Sequence, residues 1–326
     1  MAIDLLAIQP NKVSKDLSGY ITYIYGAPKT GKTTLAAQMN KALILAFEPG
    51  YKALPGVRAQ DVTSWVEMKQ IFRDLKKPEI QAAFDTVIID TIDIAADRCK
   101  KYICNQNDIE DLGDMGYGKG WTKFKDEFNE VFRGLTQLGY AVFFIGHHKA
   151  EMIDNPDGTK TQIVRPQLSG STRTVIAGMA DIYGYAHQKY TGEMAVLTLR
   201  DSSGHIECGG RFKYLPAEIP MNYKSLVKAL EEAIDKEAEE NNGQFVTDER
   251  PTIPVEVTYN FDELKTEFEG LVGQLMNKNQ SYYAPRIMEI VEKYLGKGKK
   301  VADATPNHAE FLYLIVSEIK EDLITE

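Results

Sequence analysis

Long hydrophobic runs are missing from this sequence: no window approaches the eighteen or so apolar residues that a membrane-spanning helix requires. The opening Met1-Ala2-Ile3-Asp4 also lacks the basic start of a secretion signal, so the expected place is the cytoplasm, without membrane contact. Cysteine is scarce, with only Cys99, Cys104 and Cys208 in 326 residues. An odd count with no C-x-x-C pair argues against a disulfide framework or thiolate metal site and for free, mostly buried thiols. Positive charge is in deficit, 38 Lys and Arg against 47 Asp and Glu, for a net charge of −9. A surface that is basic all over is thereby excluded, and any nucleic-acid contact has to be local to a groove or loop or created by assembly. The remaining composition, 43% hydrophobic and 26% charged, is that of a globular protein with enough chain for two domains.

Against these absences stands one specific motif. Gly26-Ala27-Pro28-Lys29-Thr30-Gly31-Lys32-Thr33 fits G-x-x-x-x-G-K-[ST], the phosphate-binding loop. It follows the β-branched and aromatic run Tyr20-Ile21-Thr22-Tyr23-Ile24-Tyr25 and precedes the helix formers Thr34-Leu35-Ala36-Ala37-Gln38-Met39. Gly26 and Gly31 permit a backbone that turns successive N–H groups toward phosphates, with a helix N-terminus adding partial positive charge. Lys32 is expected to reach the β- and γ-phosphates of ATP, and Thr33 to hold Mg²⁺, with Thr34 completing the cradle.

A strand and helix pattern repeats from about 18 to 239. Strands are expected at 42–47, 86–90, 140–146, 181–186 and 194–200, and helices at 64–75, 93–104, 119–138 and 223–240. Such alternation implies an α/β fold with a mostly parallel sheet flanked by helices on both faces. The polar stretch from Glu237 through Pro254 reads as a linker. Beyond it, helix-period apolar positions at 261–275, 283–295 and 309–324 indicate a small C-terminal helical domain. The expected division is therefore a core at 1–236, a linker at 237–258 and a helical domain at 259–326. The basic cluster Lys297, Lys299 and Lys300 reads as a solvated turn, since acidic residues dominate the neighbouring helices.

Three strand ends supply candidate chemistry. Asp90 closes the apolar strand Thr86-Val87-Ile88-Ile89, where a P-loop fold places its second metal-orienting carboxylate. Asp93, three residues on, reads as a helix cap. Glu48 closes the strand 42–47 at the edge where ligands collect in open α/β sheets, and is the candidate base for activating water; alternatively it only begins the Pro49-Gly50 turn. His147 and His148 end the strand 141–146 at the same edge. One of them could hydrogen-bond the γ-phosphate and pass its state to the loop that follows, or both are simply polar residues closing an apolar strand. Neither has a Cys or His at metal spacing, so zinc is not expected.

With Gly26–Thr34, Glu48-Pro49-Gly50, Ile88-Ile89-Asp90-Thr91, Gly116-Tyr117-Gly118-Lys119-Gly120 and Phe144-Ile145-Gly146-His147 assembled, the chain resembles the RecA-like ATPases. Within them it is most similar to phage-encoded ATPases of the Sak-type recombination group, over roughly 18–230. The resemblance implies a RecA-like P-loop core, with Glu48 as general base and His147 as nucleotide sensor, a position where Gln is usual. It also implies completion of the site by a neighbouring protomer, with Arg211 or Lys213 of Gly209-Gly210-Arg211-Phe212-Lys213 as the trans charge, or else as plain surface charges. Loops after the second metal-site helix and after the sensor strand line a DNA channel in that family. Here these are 105–120, with Tyr117, Lys119 and nearby Trp121, and 150–174, with Arg165 and Arg173, which are also readable as an ordinary hairpin and turn. Aromatic and basic groups together suit stacking and phosphate contact.

The implied function is a Mg²⁺-dependent ATPase of phage DNA recombination or replication, in the host cytoplasm, self-associating into a ring or filament and binding single-stranded DNA. A nucleotide-gated adaptor, such as a helicase loader or a partner of a single-strand binding protein, is the alternative. A small-molecule or nucleotide kinase shares the P-loop but usually carries an Arg-rich lid, which this sequence does not show.

Overall fold

The computed structural model describes residues 10–189, 195–240, 243, 245–249 and 259–324. They belong to two compact units, one within Pro10–Glu256 and one within Val257–Glu326.

The larger unit runs β1 (Thr22–Gly26), α1 (Lys32–Ala36), β2 (Ala42–Ala46), β3 (Arg58–Asp61), α2 (Trp65–Asp74), α3 (Pro78–Ala83), β4 (Thr86–Asp90) and α4 (Ile92–Gln106). It continues with α5 (Lys119–Thr136), β5 (Ala141–Gly146), β6 (His148–Asp154), β7 (Lys160–Pro166), α6 (Gly170–Met179), β8 (Ile182–His187), β9 (Val196–Thr198), β10 (Glu218–Pro220) and α7 (Tyr223–Glu240). The sheet order is β10-β9-β8-β1-β5-β4-β2-β3, and Gly209–Gly210 also pairs with β8. Strands β8, β1, β5, β4, β2 and β3 are parallel, whereas β9, β10 and Gly209–Gly210 add antiparallel at one side. The expected α/β class, a mostly parallel sheet flanked by helices with a helical region at the C-terminal end, is what the chain forms.

Side chains alternate across the strands and divide the core in two. Tyr23, Tyr25 and Phe144 pack with Trp65 of α2, Cys99 of α4 and Phe128 and Phe132 of α5 on one face. Ile24, Phe143 and Ile145 pack with Leu35 of α1 and Leu226 and Leu230 of α7 on the other. With both faces covered, the strand interiors must be apolar throughout, which is why they read as continuous hydrophobic runs. Register then levels the strand ends: Tyr25 pairs with Gly146, Asp90 with Ile145, and Ala46 with Asp90.

The structure departs from the sequence reading in several places. Helix α1 stops at Ala36, because Gln38 and Met39 donate to Leu35 and Ala36 in three-residue turns and Lys41, at φ 40°, redirects the chain into β2. The region after His147 takes the hairpin alternative of the sequence reading, with β6 paired to β7 from His148↔Pro166 to Asp154↔Lys160, but a helix, α6, follows it where only a turn was expected. Helix α7 carries the core past the expected boundary at 236, and Val246–Thr247 pairs in parallel with Val13–Ser14, so the linker expected at 237–258 begins as core structure. Its residues 241, 242, 244 and 250–258 lie outside the described residues, as does Met194 of the strand expected at 194–200.

In the other unit, α8 (Phe261–Leu295) and α9 (Ala309–Leu323) bury Leu275, Ile287, Leu312 and Ile315 against each other. Asn260 caps α8 by accepting from the Asp262 and Glu263 amides. The two helices expected at 261–275 and 283–295 are joined across a kink at Asn279 (φ −162°, ψ 93°), whose Oδ1 accepts from the Tyr282 amide at 3.2 Å and restarts the helix ahead of Pro285. No helix among the described residues is long and apolar enough to cross a membrane.

Gly120, in the first turn of α5, lies directly against the short 3₁₀ turn Leu112–Met115, and a Cβ there would lie 2.2 Å from the Leu112 carbonyl oxygen. Gly120→Ala should therefore destabilise the larger unit by about 1–3 kcal/mol. Gly178→Ala, in α6 with open space around it, should change stability by about 1 kcal/mol or less, in the stabilising direction. Urea unfolding of the two variants checks the contrast.

Candidate functional site

The loop between β1 and α1 bends back on itself through two residues of positive φ, Lys29 (64°) and Gly31 (89°). Only a glycine takes the latter without strain, which accounts for Gly31 in the motif. Gly26 is required for a different reason, since a Cβ there would lie 2.0 Å from the Ala186 carbonyl oxygen of β8. The folded loop holds Lys32 almost out of water, 7% exposed, with its Nζ donating to the Gly26 and Ala27 carbonyls at 3.0 and 2.6 Å. Burial lowers the Lys32 pKa, opposed by the carboxylates of Asp90, Asp93 and Glu48. Thr30 is tied within the loop by its hydroxyl donating to Ala27 O at 3.0 Å.

The level strand ends bring the remaining groups to this loop. The Thr33 hydroxyl donates to Asp90 Oδ2 at 2.7 Å, and Asp90 is 3% exposed. Burial raises the Asp90 pKa, opposed by the Thr33 hydrogen bond and by Lys32. Glu48 follows β2, its own amide donating to the Asp90 carbonyl at 3.2 Å. His147 follows β5 and stands with Nε2 3.6 Å from Glu48 Oε2. A cleft of about 290 Å³ is bounded by Pro28, Lys29 and 31–34 of the loop, Glu48, Gly50, Asp90, Thr91 and His147. The Asp90–Thr91 peptide is cis.

The residues suit a nucleoside triphosphate with Mg²⁺. Among the described residues no cluster of three or more His, Cys, Asp or Glu is able to hold a metal alone. One hydroxyl and one carboxylate, both hard oxygen donors, are what Mg²⁺ takes from a protein when phosphates and water supply the rest. The buried Thr91 hydroxyl beside them has no hydrogen-bond partner among the described residues, leaving a polar group for a ligand or its water.

Asp93 was expected to cap α4 and does not. Its carboxylate turns away from the helix to accept from the His147 amide at 3.1 Å and to bond His147 Nδ1 at 2.6 Å. Sequence offered no signal for this, because an acidic residue in the first turn of a helix is ordinary and its partner lies 54 positions away. Gly50 was legible only as part of a turn; it lies over the Thr33–Asp90 pair, where a Cβ would stand 3.6 and 3.7 Å from the two oxygens.

Other candidates are placed elsewhere. Arg211 ion-pairs with Asp181 at 3.2 Å and donates to Gly178 O, at the amino edge of the sheet, and Lys213 pairs with Glu240 at 2.9 Å. Neither reaches the cleft of its own chain. Arg165 and Arg173 are not free cations: Arg165 bonds Glu151 at 2.8 Å and faces Glu207 at 3.5 Å, and Arg173 faces Glu207 at 3.4 Å. Lys119 is exposed at the start of α5, next to the fully exposed Tyr117 and the partly exposed Trp121. Cys99, Cys104 and Cys208 are all free thiols.

Asp93 raises the His147 pKa above its ordinary 6.5, first through the hydrogen bond and then by charge, with Glu48 adding; burial and Lys32 oppose. The folded chain then holds this proton more tightly than the unfolded one. The associated stability is fully present below 6.5 and is lost as pH rises through the raised folded value. In chemical unfolding, the stability advantage of wild type over His147→Gln should be largest at mildly acidic pH and shrink above neutrality. A difference independent of pH would count against the ion pair.

A family model described as an AAA domain matches residues 18–206, more than half of the chain. The SPbeta prophage-derived uncharacterized protein YorG of Bacillus subtilis (strain 168) is 29% identical over 341 residues, covering 100% of both chains. A looser likeness, 15% identical with a TM-score of 0.35, links 59% of this chain to 88% of the KaiC-like protein PH0186 from Pyrococcus horikoshii OT3. The phosphate-binding loop and its facing carboxylate lie within the matched span, and the chain belongs to the AAA domain family, as a nucleotide-binding P-loop ATPase.

Proposed function

We propose that this chain is a Mg²⁺-dependent ATPase of phage DNA recombination or replication, related to the Sak-type group, whose ATP state is coupled to single-stranded DNA in an oligomer. The observation that carries the enzymatic part is the convergence of Lys32, Thr33, Asp90, Glu48 and His147 on one cleft. The loop amides and Lys32 bind phosphate oxygens, the lysine exchanging two backbone carbonyls for them. Thr33 and Asp90 would hold Mg²⁺, which when bound would supply positive charge beside the transferred phosphoryl group. Glu48, half-exposed at the mouth of the cleft, takes the proton of the attacking water, and His147, whose charged form Asp93 favours, donates from Nε2–H to the terminal phosphate.

Support for the nucleic-acid part is of a different kind. The full-length relative is prophage-derived. Tyr117, Lys119 and Trp121 combine exposed rings with a cation, while the ion-paired Arg165 and Arg173 move to the background of that surface. Arg211 or Lys213 completes a site only if a neighbouring copy presents them. The adaptor reading has one observation in its favour: Met288, Phe311 and Leu314 are exposed apolar side chains on the C-terminal helices, as a protein-binding face requires.

ATP turnover with and without single-stranded DNA tests both parts. Lys32→Ala should abolish turnover, and Glu48→Gln should lower kcat about 10²–10⁴-fold while leaving ATP affinity within a few-fold. Unchanged turnover in Glu48→Gln would remove it as the base. DNA should stimulate the wild type several-fold, and Trp121→Ala should blunt that stimulation; turnover indifferent to DNA moves the assignment to the adaptor.

A further inference from the structure

On the reading that Glu48 is the base, we propose that Asp93 is the positioning residue of the reaction: it fixes the tautomer and orientation of His147, so that Nε2 alone faces Glu48 and the cleft. The geometry is a two-point clamp. One carboxylate oxygen of Asp93 accepts the His147 amide at 3.1 Å and the other meets Nδ1 at 2.6 Å, so the backbone and the ring are held by one side chain. The Asp93 side chain is 8% exposed, whereas the ring it holds is 20% exposed and Glu48 38%. Burial therefore falls steadily from the clamp to the reacting end.

A carboxylate accepts and does not donate, so the Nδ1 it faces must carry the proton. The neutral ring is then left with its lone pair at Nε2, the atom 3.6 Å from Glu48 Oε2. Only Nε2 is able to gain or lose a proton without breaking the clamp. The His147 carbonyl is held independently, accepting from the Gln167 amide at 2.9 Å, so the ring cannot swing by moving its backbone. The first turn of the fifteen-residue helix α4 is the favourable place for the Asp93 charge, and α4 is not capped by it: Thr91 is the N-cap residue and makes no side-chain cap bond. Both Asp93 oxygens are directed at a residue 54 positions away in preference to the amides of its own helix. A cap would not be arranged so.

The test is a double-mutant cycle between Asp93→Asn and His147→Gln, with kcat for ATP and the affinity for a fluorescent ATP analogue measured on the full chain. Asp93→Asn keeps the shape but leaves one acceptor where the clamp needs two and puts an N–H donor in place of the other, and kcat should fall about 10- to 100-fold with analogue affinity within about twofold. In the His147→Gln background the same change should cost less than about twofold, since Asp93 acts only through the ring. A kcat within twofold of wild type, a loss confined to affinity, or an equal loss in both backgrounds would overturn the proposal.

¹⁵N NMR of the His147 ring in the wild-type chain, at a pH above its titration, gives an independent reading that needs no folded variant. Nδ1–H is expected, and an Nε2–H ring would overturn it. Glu48→Gln serves as the separate control: unchanged turnover there removes the base but leaves the coupling between Asp93 and His147 and the tautomer readable.

Discussion

Burial on both faces of the parallel sheet is the constraint from which the functional geometry follows. A strand covered on both sides by helices has no place along its length for a group that needs water, charge or a ligand. Polar chemistry is pushed to where the strands stop. In this chain β1, β2, β4 and β5 stop together, because Tyr25, Gly146, Ile145, Asp90 and Ala46 are in register across the sheet. The first residues beyond the apolar runs are Gly26 and its loop, Glu48, Asp90 and His147. Their meeting is therefore a property of the sheet's register as much as of the residues themselves. A one-residue slip in any of these strands would turn its end group to the other face.

Charge within the cleft is balanced on a short lever. Three carboxylates, Glu48, Asp90 and Asp93, surround two cationic groups, Lys32 and His147, in a place where burial pushes Asp90 toward its neutral form and Lys32 likewise. Lys32 resolves the conflict by donating to two loop carbonyls. Those bonds keep the ammonium solvated by protein and within reach of phosphate oxygens bound to the same loop. Exchanging neutral acceptors for charged ones strengthens each bond without a large movement.

Legibility in the sequence tracked the range of the interaction. The phosphate-binding loop was readable because eight contiguous residues contain its geometry and its chemistry, and Glu48, Asp90 and His147 because each ends a strand whose apolar run is unmistakable. Helix α7 was readable to both of its ends for the same local reason. Asp93 was misread because its meaning depends on a partner brought in by another strand. Arg165 and Arg173 looked available as isolated cations, and only folding sets Glu151 and Glu207 beside them. The β6–β7 hairpin was legible only as the plainer of two readings of 150–174, because edge strands rich in charge lack the hydrophobic alternation by which core strands are recognised.

Those arginines have a structural consequence that the search for ligands obscures. Glu207 receives Arg165 from the hairpin and Arg173 from α6, accepts the Tyr183 hydroxyl from β8, and through its carbonyl accepts Tyr25 from β1. Segment 205–207 is further bonded to Val164 of β7 in both directions, the Val164 amide donating to the His205 carbonyl at 2.7 Å and the Glu207 amide to the Val164 carbonyl at 2.9 Å. Hairpin, α6 and the central strands are thereby lashed to one another at half-buried ion pairs, where screening by salt is incomplete. His147 sits at the root of this assembly, one residue before β6, with its carbonyl bonded to Gln167 just past β7. A shift of His147 away from Glu48 cannot stay local under these bonds. It must strain the Asp93 clamp, the root of the hairpin, or both.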